Sequence, residues 1–254
     1  MAVVFVTDIG NTSVSWGVFD EDRPLISGTH RHAGVPSRAV AAVLGNMAGK
    51  NPSAVGVSGV VPEITLTVWK EASATLDIPV LRYRTDFQPG IELGIDRPDA
   101  AGDDRIAGIR AAYSLSQGAA VCVHAGTAVT IDVVTDTGTF VGGAILPGIQ
   151  MALDALHSGT ALLPRLKPDR PITAIGSDTQ QALLSGCVLG TARAADALIK
   201  AMRKERSIEN CPVYLTGGDA DLLNEFLLTA VQKVPHLTLL GVALDLQAAM
   251  AHQR

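Results

Sequence analysis

The sequence predicts an α/β chain made of two related lobes, and three observations carry that prediction. Short β-branched runs alternate with helical stretches, a strand–polar turn–strand unit opens each half, and glycine turns recur where apolar strands end. With 254 residues, 47% of them hydrophobic and 18% charged, the chain has the length for one large or two medium domains and the apolar side chains to fill their cores.

Ala2 to Thr7 is a β-branched strand, Asp8-Ile9-Gly10-Asn11-Thr12 a turn, and Val14, Trp16 and Val18 alternate with small or polar residues as a second strand. Leu25 to His30 adds a third strand after the Asp20-Glu21-Asp22 turn, and Ser37 caps a helix that runs through Met47. Ala54 to Ser58 is a short buried strand, Pro62 to Leu76 a helix, and Pro79 to Leu81 another strand. Gly102-Asp103-Asp104-Arg105 stands before the helical pattern Ile106, Ile109, Ala112, Tyr113, which puts its charges at a helix start.

The second half opens in the same way. Ala119 to Val123 is an apolar strand, His124-Ala125-Gly126-Thr127 a turn, Val129, Ile131 and Val133 a second strand, and Thr139 to Ile145 a third. Superimposing the turns sets Asp8 against His124 and Gly10 against Gly126, a faint internal duplication; two unrelated β-turn-β units would look the same, so both explanations stand on pattern alone. Gly142-Gly143-Ala144-Ile145-Leu146-Pro147-Gly148 ends a strand and enters a helix, a candidate hinge. Helices are expected over Ile149 to His157, Asp178 to Arg203, Asp219 to Leu227 and after Gly241, with a strand from Val213 to Thr216. No linker or low-complexity tract appears, and the lobes are expected to divide as 1–115 and 116–254.

A net charge of −5 and the lack of a Lys/Arg block give no general attraction to nucleic acid or anionic membranes. Cys122, Cys187 and Cys211 are too widely spaced for a disulfide framework or a CxxC zinc site and read as reduced, buried thiols. With no basic leader and no apolar run long enough to span a bilayer, a cytoplasmic protein is expected. His30, His32, His157, His236 and His252 show no metal spacing and receive no role, and GxSxG, Walker A and GxGxxG sequences are all absent.

Three glycine turns have the makings of a nucleotide site. Asp8-Ile9-Gly10-Asn11-Thr12 combines a carboxylate for Mg²⁺ with backbone N–H groups for phosphate oxygens, although ordinary hairpins favour the same residues. His124 to Thr130 repeats the arrangement with the hydroxyls of Thr127 and Thr130, and Thr216-Gly217-Gly218-Asp219 opens a helix after a strand. At Gly102 to Arg105, a carboxylate is available to accept a hydroxyl proton and Arg105 to bind an anion; a plain acidic helix cap is the alternative.

Taken in order, these segments resemble the type III pantothenate kinase family. The series continues through Gly142 to Gly148, Thr160-Ala161-Leu162-Leu163-Pro164, Gly176-Ser177-Asp178-Thr179, Ser185-Gly186 and Thr216-Gly217-Gly218. The resemblance implies the duplicated actin-like ATPase fold of acetate and sugar kinases, with two lobes around a nucleotide cleft. It also implies a homodimer and ATP-dependent phosphorylation of pantothenate to 4'-phosphopantothenate, the first step toward coenzyme A. By position, Asp8, Ile9, Gly10, Asn11, Thr12, Ser13, Val14 and Ser15 with Thr127, Gly217 and Gly218 would serve ATP and its Mg²⁺. Asp104 would be the general base, and Gly102, Asp103, Asp104, Arg105 and Thr179 would hold pantothenate.

Two positions depart from the family pattern. His124 stands where an Asp resembles a ligand for K⁺ or NH₄⁺; its protonated form would replace the cation's charge, implying K⁺-independent activity that weakens at alkaline pH. Ile95 stands where a substrate-facing Tyr is usual. These departures keep open a nucleotide-binding regulatory homologue, and a same-fold kinase of another small molecule is the third reading.

Overall fold

Alternation along the first strand decides where its functional side chain goes. In the computed structural model, which describes residues 3–47, 49–171 and 173–252, β1 (Val4–Ile9) sends Phe5 and Ile9 into a core with α1 (Pro36–Met47) and α2 (Pro62–Thr75). Val4, Val6 and Asp8 therefore belong to the opposite face. Ala2, part of the expected first strand, lies outside the described residues.

Two units divide the chain: Met1–Leu115 with His236–Arg254, and Ser116–Pro235. In the first, β2 (Ser13–Asp20) and β3 (Arg23–Arg31) follow β1, then β4 (Ala54–Gly59) and β5 (Val80–Arg82), in the sheet order β3-β2-β1-β4-β5. β1 runs antiparallel to β2 and parallel to β4, a register that sets Asp8 opposite Ser15 on one side and Ser58 on the other. Phe5 stacks on Trp16 with ring centroids 5.9 Å apart, joining β1 to β2 on the face that packs against the helices. A two-residue strand, β6 (Glu92–Leu93), and a 3₁₀ turn at Pro98–Ala100 lead into α3 (Asp103–Ser116).

The second unit repeats this plan. β7 (Ala120–Ala125), β8 (Ala128–Val134) and β9 (Thr139–Pro147) form an antiparallel set, α4 (Ile149–Ser158) follows, and β10 (Val213–Thr216) pairs parallel with β7. With α7 (Ala220–Asn224) and β11 (Gln232–Lys233), five consecutive strands of this sheet run β9-β8-β7-β10-β11, with the same sequence of antiparallel and parallel pairings as β3-β2-β1-β4-β5. The duplication suggested by two similar turns thus extends over five strands of each sheet.

A continuous helix spans α5 (Thr179–Leu184), a π-turn at Ser185–Leu189 and α6 (Gly190–Arg206). It is long and apolar enough, by length and composition, to cross a membrane, contrary to the expectation that no run is. Its apolar side is used within the unit: Leu183, Leu184, Cys187 and Val188 pack with Ile149 and Leu153, and Ala192, Ala195 and Ile199 pack on the sheet. Cys122, Cys187 and Cys211 are buried and joined in no disulfide.

One further expectation needs correction. The last helix, α8 (Leu237–His252), starts before Gly241 and packs on β1, β2 and β4, so the segment expected in the second lobe groups with the first unit. Sequence order does not reveal which sheet an apolar helix covers, and tertiary contact decides it. Asp245 of α8 binds the Arg110 Nε at 2.8 Å, the Tyr83 hydroxyl at 2.9 Å and the Gly90 N–H at 3.0 Å, all within this unit. Gly142 and Gly143 lie inside β9, beside its register shift against Val133 and Val134, and the segment they open ends that strand at Pro147 and enters α4 after Gly148, as expected.

Candidate functional site

In the first unit three carboxylates converge. Asp8 ends β1 on the face opposite α1 and α2, and Asp103 and Asp104 open α3. Asp8 is half-buried, and its carboxyl is pushed up to about 8, chiefly by desolvation and then by the charges of Asp104 and Asp103. The Ser58 hydroxyl, donating to Asp8 Oδ1 at 3.4 Å, opposes that shift.

Asp103 and Asp104 are held differently. Arg84 Nη1 donates to Asp103 Oδ1 at 3.1 Å and to the Ala101 carbonyl at 2.7 Å, and its Nη2 reaches the Pro98 carbonyl, so one guanidinium fixes the whole approach to α3. Burial still raises Asp103 above the ordinary carboxylate range, against the Arg84 charge and the Gly59 N–H. Asp104 Oδ1 accepts from the Arg105 N–H at 2.8 Å, and a Cβ at Gly102 would stand 2.5 Å from that same oxygen. Only glycine at position 102 leaves the Asp104 carboxylate this conformation.

Around these groups, Gly10 closes the β1–β2 turn by donating to the Ser13 carbonyl at 2.9 Å, and Asn11 and Thr12 are exposed at its tip. Ile9 and Val14 put their side chains into the core, leaving only their backbone to a ligand. Ser13 and Ser15 are half-buried on β2, and Ile95 is half-buried in the loop after β6.

In the second unit His124 occupies the place on β7 that Asp8 has on β1, opposite Thr130 of β8 and Thr216 of β10. Gly126 donates to the Ala128 carbonyl at 3.0 Å, and Thr127 is exposed at the tip. Gly217 has φ +105°, and a Cβ there would meet the Ala125 carbonyl oxygen at 2.1 Å. Asp219 N–H donates to that carbonyl at 3.0 Å. Gly218 and Thr179 are exposed, with Thr179 at the start of α5, where the Asp178 carboxylate caps the Gln181 N–H at 2.8 Å.

A model of the type III pantothenate kinase family matches residues 4–201. The chain belongs to that family. Among relatives, the type III pantothenate kinase of Parafrankia sp. is 36% identical over 248 residues, covering 95% of this chain and 96% of its own. The type III pantothenate kinase of Frankia alni is 34% identical over 246 residues, with 95% and 98% covered. The solved inorganic polyphosphate/ATP-glucomannokinase of Arthrobacter sp. strain KM covers 100% of both chains at TM-score 0.52 and 16% identity. The ADPNP-bound activator of 2-hydroxyisocaproyl-CoA dehydratase from Clostridium difficile gives TM-score 0.52 at 12% identity, covering 99% of this chain and 97% of its own. At such identities the solved structures bear on the fold alone, and that fold is the actin-like ATPase fold the motifs implied.

Ser58, Gly59 and Arg84 escaped the sequence reading. A small Ser-Gly pair after an apolar strand and directly before Val60-Val61-Pro62 was the available signal for the first two; Arg84 gave none.

Proposed function

We propose that this pantothenate kinase transfers the γ-phosphoryl group of ATP to the primary hydroxyl of pantothenate, with Asp104 as general base, giving 4'-phosphopantothenate and ADP. The observation that carries this reading is the placement of Asp104 beside Asp8, its backbone fixed by the Gly102 turn and the Arg84 clamp. As the pantothenate oxygen bonds to the γ-phosphorus, Asp104 takes the hydroxyl proton, and the bond from that phosphorus to the β–γ bridging oxygen breaks with its electron pair leaving on ADP.

The residues present suit Mg²⁺. Among the described residues no group of three or more His, Cys, Asp or Glu forms a metal cage, whereas Mg²⁺ in kinases is held by one or two carboxylates, waters and phosphates. Asp8, whose charge is penalised by burial and by its acidic neighbours, is the group that gains most from a cation. Bound there with ATP, Mg²⁺ would neutralise phosphate charge. Asn11, Thr12 and the turn backbone, together with Thr127, Gly217 and Gly218, serve the nucleotide; Gly102, Arg105 and Thr179 serve pantothenate. Asp103, held by Arg84, positions the turn.

In this reading His124 makes K⁺ and NH₄⁺ dispensable, and the enzyme is a cytoplasmic homodimer. The test is ATP-dependent phosphorylation of pantothenate by wild type and Asp104→Asn, with and without K⁺. Turnover that survives the substitution within tenfold would remove Asp104 from the role of base, since general-base loss costs about 10²- to 10⁴-fold.

A further inference from the structure

His32, between β3 and α1, is fully buried and has both ring nitrogens engaged. Nδ1 accepts the Gly34 N–H at 3.0 Å, so it carries no proton; Nε2, 2.9 Å from the Gly10 carbonyl oxygen, is therefore the donor. The backbone tightens the same link, because the His32 and Ala33 N–H groups both donate to the Thr12 carbonyl, at 3.1 and 3.2 Å. Ala33 and Gly34, at φ +51° and +77°, bend the chain so that ring and backbone reach one turn. In a trans peptide the C=O and N–H point in opposite directions. Holding the Gly10 carbonyl toward His32 therefore aims the Asn11 N–H the other way, out of the turn.

We propose that His32 is a positioning residue for nucleotide binding: its Nε2–H locks the Gly10–Asn11 peptide so that the Asn11 N–H is preset to donate to a phosphate oxygen of ATP. This rests on the reading that the Asp8–Ser15 turn receives the phosphates. A turn left to rotate would lose that preset donor without touching pantothenate or the base.

The test compares wild type, His32→Leu, His32→Gln and His32→Asn in steady-state assays with each substrate varied. Gln places an N–H where Nε2 stands, whereas Asn reaches only the Nδ1 position. His32→Leu should raise KM for ATP roughly tenfold, as one lost hydrogen bond does, with KM for pantothenate within about twofold of wild type. His32→Gln should recover most of that loss and His32→Asn little of it. A fall in kcat with both KM values unchanged is what a purely structural residue gives and overturns the proposal, as does a Gln variant no better than Leu. If the Leu variant does not fold, Gln against Asn decides on the same terms. A wild type that phosphorylates nothing sinks the kinase reading instead, and the His32 claim is then decided by MgATP dissociation constants of the same proteins.

Discussion

Asp8 and His124 hold the same place in two sheets that share a five-strand order, yet one is a carboxylate crowded by two others and the other an imidazole beside two threonines. The backbone correspondence is close. Ile9 and Ala125 each offer a carbonyl to the connection after the fourth strand of the unit, to Val60 N–H at 2.9 Å and Asp219 N–H at 3.0 Å. The first turn runs four residues between Ile9 and Val14, and the second three between Ala125 and Val129. Repetition has kept hydrogen bonding and register while the side chain at the strand end changed, so the three converging carboxylates belong to the first unit.

Exchanging the two residues tests that asymmetry most severely. If Asp8 is the metal carboxylate as proposed, Asp8→His should lower kcat on the order of 10³-fold. His124→Asp should keep turnover within about tenfold of wild type and acquire a K⁺ requirement, read by titrating K⁺ in the kinase assay. Strong K⁺ activation of the wild type would break the comparison at His124.

Next in size are the glycines where the fourth strands end, Gly59 as the last residue of β4 and Gly217 just after β10. Gly217→Ala combines φ +105° with a Cβ 2.1 Å from the Ala125 carbonyl oxygen and should cost about 3 kcal/mol or more in urea unfolding. At Gly59, where the contacts are Thr65 Oγ1 at 2.5 Å and Ile9 Cβ at 2.7 Å, the cost of alanine should be about 2 kcal/mol, since part of it is relieved by a side-chain rotation.

The pH dependence of unliganded stability sharpens the contrast further. The folded Asp8 carboxyl titrates near 8 instead of 3.8, so between those values the folded chain holds a proton the unfolded chain has released, and stability falls as pH rises across that window. Asp8→Asn should therefore stabilise the unliganded protein by about 2 kcal/mol at pH 9 and by almost nothing at pH 4, measured by urea unfolding at each pH. The smallest expected change is in the wild-type rate on replacing Na⁺ by K⁺, less than about twofold if His124 supplies the charge.

The strands and glycine turns were legible because alternation and turn chemistry are local. Asp8, Gly10 and the Gly102–Arg105 segment were found for that reason. Arg84 was not, since its partners at Pro98, Ala101 and Asp103 are joined to it only by the folded loop. His32 read as an idle histidine because its function depends on a carbonyl 22 residues away.

The return of α8 to β1 makes the first unit discontinuous, with residues 116–235 inserted between its parts. On the ribosome the second unit is complete in sequence before α8 is translated, while the sheet that carries Asp8 waits with one apolar face uncovered. Asp245, arriving last, brings Tyr83, Gly90 and Arg110 together. The unit that carries Asp8 is thus finished only when α8 emerges, and a nascent chain stalled before residue 237 would carry one folded unit and an exposed strand face for chaperones to guard.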